Sequence, residues 1–473
     1  MSDLLTPDIC VIGAGTGGLV VAAGASQLGA KTVLIESHRM GGDCLNTGCV
    51  PSKALLAAAH AATDYRRAAA FGLAQDAPRV DFAKVQAHVR AVIAAVAPND
   101  SEERFTGLGV TVLREPGRFT GPSEVSVGET RIRARRFVVA TGSMAFVPPV
   151  PGLGDLPYLT NETIFDIDRL PAHLLVMGGG PIGCELAQAF RRLGAQVSVV
   201  EMLEIMPKDD PELVAVVRQS LLDDGIALFE QHKVVGASKS GANLALEIEK
   251  DGMRRRLEGS HLLVAAGRRP QVADLGLESA GIAHSDKGIQ VDARLRTTNR
   301  RAYAVGDVVG GPQFTHLAAY HAGIVIRNAL FRLPARVDLS ALPWVTFTNP
   351  ELAHVGSSEA AARAQGPIRL LRWPLAENDR AQAEHLHRGF IKIVTNMRGR
   401  ILGADIVGPS AGEMIHFWTL AVSQKLKIGA VAGMIAPYPT LAEIGKRAAG
   451  NYYLPKLFGE RTKRLVRFLA RFG

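Results

Sequence analysis

The chain has 473 residues, of which 47% are apolar and 49 are glycine, a composition typical of a multi-domain α/β protein with many tight turns. Its four cysteines are too few for a disulfide-stabilised scaffold, and no apolar run reaches the roughly 18 residues of a membrane span. The formal net charge is +9, but residues 456–473 hold six Lys or Arg against one Glu, so the rest of the chain gives little support for nucleic-acid binding. The N-terminus resembles no signal sequence, which favours the cytoplasm.

The first predicted element is a buried strand at residues 8–12, which leads into the glycine motif GAGTGG and a helix. The motif allows a tight turn, a close approach of the backbone to a pyrophosphate, and close packing of the helix on the strand. The glycines with these three roles are Gly13, Gly15 and Gly18. A second strand at residues 31–35 ends at Glu36, where a carboxylate can accept hydrogen bonds from a ribose. The stretch therefore predicts a dinucleotide-binding unit.

The next stretch, GGDCLNTGCVPSK, begins at Gly41 and contains two of the four cysteines. A disulfide needs Cα atoms roughly 4.4–6.8 Å apart, whereas residues i and i+5 of a helix are about 8–9 Å apart. A bridge between Cys44 and Cys49 therefore needs a distorted turn. Pro51 suits the first turn of a helix, which places Cys49 near a helix N-terminus, where the dipole favours a thiolate. Lys53 follows on the same helix face.

Two interpretations of the cysteines are open. One is a structural disulfide or a pair of buried thiols. The other, which we favour, is a redox-active pair, because disulfides of cytosolic proteins are usually catalytic or redox-sensing. The remaining cysteines, Cys10 and Cys184, adjoin glycine motifs and are expected to be small buried residues.

The central part of the chain repeats the first pattern. Helices are predicted at residues 54–70 and 81–97, and short strands at residues 124–127 and 131–134 lead to the strand FVVATGS at residues 137–143 and a proline-rich linker. A strand at residues 174–177 then precedes the motif GGGPIG, and a strand at residues 197–200 ends at Glu201. The second set of motif glycines is Gly178, Gly180 and Gly183. Two such units predict two bound nucleotides, most simply FAD and a nicotinamide cofactor.

Glu201 bears on the choice of nicotinamide cofactor. Its carboxylate would repel a 2′-phosphate, and residues 202–206 contain no Arg or Lys to bind one. Lys208 is a badly placed exception. The sequence therefore favours NADH over NADPH.

A third region with a different pattern follows residue 341. Strands are predicted at residues 343–348, 368–373, 389–396 and 400–407, and helices at residues 410–426 and 429–435. In the tail, apolar residues recur at helical spacing among basic ones; they are Leu465, Phe468, Leu469 and Phe472. We favour packing of this tail on the protein; the alternative is weak peripheral contact with an anionic membrane.

The cysteine stretch, the two glycine motifs and AYAVGD at residues 302–307 resemble, in this order, the class I pyridine nucleotide–disulfide oxidoreductases. That family includes dihydrolipoamide dehydrogenase, glutathione reductase and mercuric reductase. The resemblance covers nearly the whole chain and implies an α/β fold with two Rossmann-like domains and a C-terminal α+β interface domain that forms a homodimer. The implied divisions are 1–150 for FAD and the redox disulfide, 151–270 for NAD, 271–340 for further FAD contacts, 341–455 for the interface, and 456–473 for the tail.

The resemblance also implies an electron path from NADH through FAD to the Cys44–Cys49 disulfide, with Cys49 nearer the flavin. It pairs Glu185 with Lys53 beside the flavin. The residues that it assigns to FAD are Gly13, Gly15, Gly18, Glu36, Lys53, Gly117, Thr141, Gly142, Asp307, Phe314, Thr315 and His316. Those that it assigns to the nicotinamide cofactor are Gly178, Gly180, Gly183, Glu201, Val234 and Gly267. No resident metal is expected.

The chain departs from the family near its end. The family reads His-Pro-Thr-x-x-Glu, whereas this chain reads Tyr438-Pro439-Thr440-Leu441-Ala442-Glu443. A tyrosine with an ordinary pKa near 10 is a poor base at neutral pH. Mercuric reductases resemble this chain in the tyrosine, but they also carry a C-terminal cysteine pair, and no cysteine follows Cys184 here.

The electron acceptor therefore stays open. It is expected to be a disulfide or dithiol, such as dihydrolipoamide, or a soft metal ion. The alternatives are a quinone or diaphorase-type NADH reductase, and a flavoprotein whose redox state controls its binding to a partner.

Overall fold

The computed structural model describes residues 4–73, 76 and 79–472. Residues 1–3 lie outside the described residues; they begin the segment in which no signal sequence is expected. Gly473, the last residue of the predicted tail, also lies outside them. The chain divides into two compact units. The first comprises Met1–Met202 and Phe229–Val337, and the second comprises Leu203–Leu228 and Asp338–Gly473.

The first unit contains a parallel sheet of five strands around the first glycine motif. In spatial order the strands are Ala302–Ala304, Arg136–Val139, Ile9–Ile12, Thr32–Ile35 and Val110–Leu113. Their near-continuous apolar sequences are typical of parallel strands that are buried on both faces. The helices Thr16–Gln27 and Thr315–Ala329 contribute residues to one of the cores of this unit.

A second sheet surrounds the second glycine motif. Its strands, in order, are Ala227–Glu230, Gln196–Glu201, His173–Met177 and His261–Val264, and the last three are parallel. The helix Pro181–Leu193 begins with proline at its first position and ends at Gly194, whose φ of +118° suits a residue without a side chain. Two sheets of this kind in one unit match the predicted repeat of the dinucleotide fold.

The remaining strands of the first unit form smaller sheets. They are Leu4–Leu5, Gly117–Gly121, Glu124–Val127, Thr130–Ile132, Ser143–Ala145, Lys233–Ser240, Asn243–Lys250, Met253–Gly259, Arg268–Pro270, His284–Ser285 and Gly288–Ile289. Its other helices are Gly42–Asn46, Cys49–Arg67, Phe82–Val96 and Glu102–Gly107, with short 3-10 turns at Ala68–Phe71, Ala97–Asp100, Leu153–Asp155, Ile164–Asp166 and Gly306–Val309.

One predicted strand of the first unit is divided in two. The sequence FVVATGS forms the strand Arg136–Val139, and Ser143 begins a separate strand that pairs with Arg268–Pro270. Gly142 lies between them with a φ of +72°, which interrupts the extended backbone.

The second unit has a five-stranded antiparallel sheet covered by helices. The strands, in spatial order, are Pro343–Thr346, Glu351–Gly356, Ile401–Gly408, Phe390–Asn396 and Ile368–Pro374. The helices are Pro211–Asp223, Glu359–Gln365, Asp379–Ala383, Ala411–Ser423, Ile428–Ala432, Glu443–Asn451, Leu454–Leu457 and Glu460–Leu469, with a 3-10 turn at Leu375–Glu377. The strand Glu351–Gly356 was not among the predicted strands, because four consecutive buried residues hide its alternation.

A buried cation holds the helix Pro211–Asp223 to this sheet. Lys392 is 1% exposed, and its Nζ lies 2.6 Å from Asp210 Oδ2 and 2.5 Å from Glu359 Oε2. Glu212 Oε1 lies 3.6 Å from the same nitrogen, so three carboxylates compensate the cost of burying the charge.

Candidate active site

The two central cysteines lie at the junction of two helices. Cys44 is in the short helix Gly42–Asn46, and Cys49 is the first residue of the helix Cys49–Arg67. Gly41 and Gly42 have φ angles of +86° and +60°, which bend the chain before the first cysteine. Both cysteines are free thiols, and Cys49 is solvent-exposed. The predicted distorted turn is therefore built from one helical turn and a sharp entry into a longer helix.

The surroundings of the cysteines make them unequal. A hydrogen bond from the Cys44 thiol lowers the pKa of Cys49 to about 6, against the opposing effect of burial. The Thr315 hydroxyl, 3.4 Å from Cys49 Sγ, and the charge of Lys53 act in the same direction. The interaction with Cys49, together with burial, raises the pKa of Cys44. At neutral pH the reduced pair therefore holds a Cys49 thiolate and a Cys44 thiol.

The lysine on the redox helix is paired with an acid on a second helix. Lys53 Nζ donates a hydrogen bond to Glu185 Oε2 at 2.7 Å, and the Glu185 side chain is almost fully buried. Glu185 belongs to the helix Pro181–Leu193, which begins at the second glycine motif. The two residues are 132 positions apart in the chain. The fold thus connects the redox helix with the second nucleotide unit.

The first glycine motif fits a dinucleotide with a close backbone approach. A Cβ on Gly18 would lie 1.9 Å from Gly13 O, so only glycine permits this packing of helix on strand. The nearest atom to a Cβ on Gly15 would be 4.0 Å away, which leaves room at the helix N-terminus for a pyrophosphate. Glu36 Oε2 accepts the Ala14 N–H at 2.7 Å. This arrangement fits the FAD that the sequence predicts.

The second motif has the same local geometry. A Cβ on Gly183 would lie 2.0 Å from Gly178 O, and a Cβ on Gly180 would meet nothing within 4 Å. Glu201 Oε2 accepts the Gly179 N–H at 2.6 Å, as Glu36 does in the first motif.

The other predicted cofactor residues lie in both parts of the first unit. Val234 is partly buried against the apolar core near the second glycine motif. Gly267 has a φ of +123°. Gly117 begins a strand, and a Cβ there would lie 3.0 Å from Ile35. Thr141 Oγ1 donates to Gln271 O at 2.7 Å. Phe314 stacks on His316, with 5.2 Å between ring centroids.

Asp307 lies in a 3-10 turn that is supported by a buried histidine. Burial raises the pKa of Asp307, and the Ser143 hydroxyl donates to its Oδ2 at 2.6 Å. The Gly306 N–H donates to Nδ1 of His321 at 3.3 Å, and burial lowers the pKa of His321 to about 4. His321 is therefore neutral at physiological pH and accepts the hydrogen bond that orients this turn. His321 was not predicted from the sequence, because a single histidine inside a helix belongs to no recognisable motif.

The tyrosine that replaces the family histidine has an acidic partner that the sequence did not indicate. Tyr438 is 66% exposed, and its hydroxyl donates to Asp379 Oδ2 at 2.7 Å. This hydrogen bond raises the pKa of Tyr438 above its ordinary value. Glu443 Oε1 accepts a hydrogen bond from Arg447 Nε at 2.9 Å. Less phenolate is therefore present at neutral pH than for an isolated tyrosine, so the residue is a poor proton acceptor there.

Two further features concern metal binding and the membrane. Within the described residues, no group of three or more His, Cys, Asp or Glu side chains has the arrangement of a metal site. None of the helices in the described part of the chain combines the length and apolar character of a membrane crossing.

Two family matches account for most of the chain. Residues 7–322 match the family described as pyridine nucleotide-disulphide oxidoreductase, and residues 342–449 match its dimerisation domain. The chain belongs to the pyridine nucleotide–disulfide oxidoreductases, as the sequence motifs predicted.

Curated relatives fall into two groups. A mercuric reductase from Streptomyces lividans is 33% identical over 94% of this chain and 96% of its own length. A mercuric reductase from Bacillus cereus is 34% identical over 92% of this chain and 70% of its own length. A dihydrolipoyl dehydrogenase from Thermus scotoductus is 36% identical over 93% of this chain and 95% of its own length.

Solved structures agree with the fold. The Cu(II) complex of the HOCl-induced flavoprotein disulfide reductase RclA from Escherichia coli matches with a TM-score of 0.85 and 26% identity, over 94% of this chain and 99% of that one. LpdA from Mycobacterium tuberculosis matches with a TM-score of 0.86 and 27% identity over the same shares. The protein is an FAD-dependent disulfide oxidoreductase that uses a pyridine nucleotide, with two Rossmann-like domains and a C-terminal interface domain.

Proposed function

We propose that this protein uses NADH to reduce a soft metal ion, such as Hg²⁺ or Cu²⁺, held by the Cys44–Cys49 pair. The observation that carries the proposal is the contrast between a Cys49 thiol whose pKa is lowered to about 6 and a Tyr438 phenol whose pKa is raised. Soft thiolates bind such ions well, and a bound ion needs no proton transfer from the phenol. Bound FAD supplies the transfer of two electrons from the nicotinamide to the cysteines.

The residues of the redox helix have separate roles. Cys49 is a thiolate that Lys53 stabilises, and Glu185 holds the lysine in place with a hydrogen bond of 2.7 Å. Cys44 carries the proton of the reduced pair and meets the acceptor. Oxidation of NADH to NAD⁺ releases two electrons and one proton, and these electrons reduce either one Hg²⁺ to the metal or two Cu²⁺ to Cu⁺, so the reaction is balanced.

The relatives support this choice of acceptor. Four of the curated relatives at 33–34% identity are mercuric reductases, and the structure of RclA is a Cu(II) complex. This chain has only four cysteines, and Cys10 and Cys184 are buried. Of these four cysteines, Cys44 and Cys49 would therefore bind the metal ion.

A disulfide or dithiol such as dihydrolipoamide is the second candidate. The relative from Thermus scotoductus, a dihydrolipoyl dehydrogenase, has 36% identity, and the Pro-Thr and Glu443 of the family's terminal motif are present. A dithiol substrate needs a base to accept its proton, and Tyr438 is poorly suited to that role. We therefore expect this activity to be weak.

Steady-state NADH oxidation with Hg²⁺, Cu²⁺, lipoamide, glutathione disulfide and a quinone tests the proposal. Metal reduction should be fastest and should fall to background in Cys44→Ser and in Cys49→Ser. Quinone reduction needs only the flavin, so it should survive both substitutions and serves as the control for cofactor binding. Faster turnover with lipoamide than with either metal would reject the metal-ion assignment. Metal-dependent NADH oxidation that persists in both variants would reject the role of the cysteine pair.

Three further assignments belong to this proposal. NADH is preferred over NADPH, because Glu201 lies against the second glycine motif, where a 2′-phosphate would meet its charge. The active form is a homodimer, supported by the match of residues 342–449 to a dimerisation domain. A cytoplasmic location suits a pair that must be reduced in each cycle.

We also propose weak peripheral contact between the tail and an anionic membrane. The apolar residues of the helix Glu460–Leu469 and of the residues after it are more than half exposed, so the favoured packing of these side chains on the chain itself is not observed. They are Leu465, Val466, Phe468, Leu469 and Phe472. Six basic residues accompany them in residues 456–473, and the charge suits an anionic lipid surface. The helix lies beyond the residues that match the dimerisation domain, and its charge disfavours pairing with a second copy of itself.

Flotation with anionic liposomes tests the membrane contact. The full chain should float at low salt, and a chain without residues 456–473 should not. The substitution Leu465→Ser should weaken binding more than Thr462→Ser, which lies on the same helix and loses little apolar surface. Equal flotation of the full and shortened chains would reject the contact.

A further inference from the structure

The acidic residue before the first cysteine has no role in the electron path described above. Oδ1 of Asp43 accepts hydrogen bonds from Thr47 Oγ1 at 2.6 Å and from Asn161 Nδ2 at 3.1 Å. Oδ2 of Asp43 lies 3.1 Å from Nη2 of Arg268. A single carboxylate therefore joins the turn between the cysteines to two residues from distant parts of the chain.

These contacts close the turn that separates the two sulfurs. The Thr47 N–H donates to Asp43 O at 2.9 Å, and Asn161 Nδ2 also reaches Thr47 O at 3.3 Å. Asn161 is buried, so it is a fixed support. A Cβ on Gly48 would lie 2.9 Å from Asp43 O, which shows how closely the turn folds back on this residue. Residues 45–48 are thus held against Asp43 between the two cysteines.

The same carboxylate connects the turn to the predicted flavin contact Asp307. Nε of Arg268 donates to Ser143 Oγ at 2.9 Å, and Ser143 Oγ donates to Asp307 Oδ2 at 2.6 Å. The chain of contacts runs from Asp43 through Arg268 and Ser143 to Asp307. Asp43 is therefore linked through an ion pair and two hydrogen bonds to a residue predicted to contact the cofactor.

We propose that Asp43 is a positioning residue that holds the turn between Cys44 and Cys49 closed and so keeps the two sulfurs together. The inference rests on the proposed function only in taking these cysteines as the redox pair. Reduction breaks the S–S bond with two electrons from the nicotinamide cofactor and one proton, which goes to Cys44 Sγ and leaves Cys49 as the thiolate. Because a closed turn keeps the two sulfurs together, it favours the disulfide and makes the reduced pair a stronger reductant.

Two variants separate the charge from the hydrogen bonds. Asp43→Asn keeps the shape of the side chain and removes its charge, whereas Thr47→Val keeps the charge and removes one hydrogen bond. The matched control is Asp64→Asn, which removes an exposed carboxylate from the redox helix, where its partner is Arg67. The equilibrium of the holoenzyme with dithiothreitol is read by thiol labelling.

Asp43→Asn should raise the equilibrium constant for reduction roughly 3- to 10-fold, because the ion pair with Arg268 that closes the turn is lost. Thr47→Val should raise it roughly 2- to 10-fold, because the closed turn loses one hydrogen bond. Asp64→Asn should leave it unchanged. Asp43→Asn values equal to those of Asp64→Asn would overturn the inference. A wild-type pair that never forms a disulfide would instead reject the proposed function.

Discussion

The redox helix and the segment around Tyr438 shift the pKa values of their titratable groups in opposite directions. Around Cys49, a thiol, a hydroxyl and a lysine combine to lower the pKa to about 6, so that the reactive form exists at neutral pH. Around Tyr438, the Asp379 carboxylate accepts the phenolic proton's hydrogen bond and raises the pKa of the phenol. The first region is arranged to form an anion, and the second is arranged to keep a proton.

This difference indicates which chemistry suits the site. An exposed thiolate beside a partly buried thiol can bind a soft ion or attack a disulfide. A phenol that keeps its proton cannot accept one from a dithiol at neutral pH, so reactions that release a substrate proton lose the assistance of a base. The contrast between the regions is therefore the physical basis for preferring a metal ion over dihydrolipoamide.

The largest effect is expected at the cysteines and tests the first half of the comparison. Partial reduction of the flavin-loaded protein should give a long-wavelength charge-transfer band from the Cys49 thiolate to the flavin. Cys49→Ser should abolish this band and lower metal reduction by roughly 10³-fold or more, because the thiolate is lost. Cys44→Ser should lose turnover to a similar degree but keep the band, or show it without reductant. A band that survives in Cys49→Ser and is lost in Cys44→Ser would reverse the roles of the two cysteines.

The next largest effect is expected at Tyr438 and tests the second half. The kcat/KM for dihydrolipoamide should be low at pH 7 and should rise toward pH 9 without a plateau, because the pKa of the phenol is raised. Tyr438→His should raise the value at pH 7 by up to about 10²-fold, since an imidazole can accept the substrate proton and Asp379 can orient it.

Tyr438→Phe is the matched control for that substitution. It removes the hydroxyl without supplying a base, so dihydrolipoamide turnover should stay low. A wild-type kcat/KM on the order of 10⁶ M⁻¹s⁻¹ or above at pH 7 would mean that the tyrosine does not restrict the substrate. The disulfide assignment would then replace the metal-ion assignment.

Local motifs were predictable because glycine has a steric signature. Gly13 and Gly178 have φ angles of +105° and +112°, and a Cβ at either would meet a backbone carbonyl at 2.4 or 2.3 Å. Few other residues tolerate such positions, so the spacing of the glycines reveals the two nucleotide units. The same reasoning located the Gly41–Gly48 turn that carries the cysteines.

Contacts between distant residues were not predictable in this way. Tyr438 and Asp379 are 59 positions apart, and Asp43 and Asn161 are 118 positions apart. No periodic pattern connects such pairs, and their partners are set by the packing of whole elements. The sequence shows that Tyr438 replaces the family histidine. Only the fold shows that Asp379 accepts the hydrogen bond of its hydroxyl.

The third prediction concerns His321, the buried base that supports the Asp307 turn. Its pKa is lowered to about 4 in the folded protein, whereas an unfolded histidine titrates near 6.5. The unfolded state binds more protons between these values, so this contribution to stability is present above about pH 6.5 and is lost as the pH falls toward 4. At pH 5 the expected loss is about 2 kcal/mol.

Urea unfolding followed by flavin fluorescence at pH 7.5 and pH 5 measures this effect. His321→Gln should remove this part of the pH dependence, although it should also lower stability at pH 7.5, because the Gly306 contact changes. His88→Gln, at an exposed position, should behave as the wild type. An unchanged pH dependence in His321→Gln would show that the buried histidine does not limit the acid stability of the first unit.

The smallest effect is expected at Glu201. It tests whether Glu201 has the same role in the second glycine motif as Glu36 has in the first. Glu36 and Glu201 each accept a backbone N–H of their own motif, at 2.7 and 2.6 Å. If Glu201 also meets the ribose, its charge should make NADH the better substrate, and Glu201→Gln should narrow the NADH to NADPH ratio of kcat/KM by about tenfold. Glu201→Arg should narrow it further or invert it, because it adds a partner for the 2′-phosphate. The ratio is the proper measure, since Glu201→Gln also weakens, and Glu201→Arg removes, a contact that holds the glycine motif. A wild-type protein that prefers NADPH would contradict the prediction that the Glu201 carboxylate selects NADH.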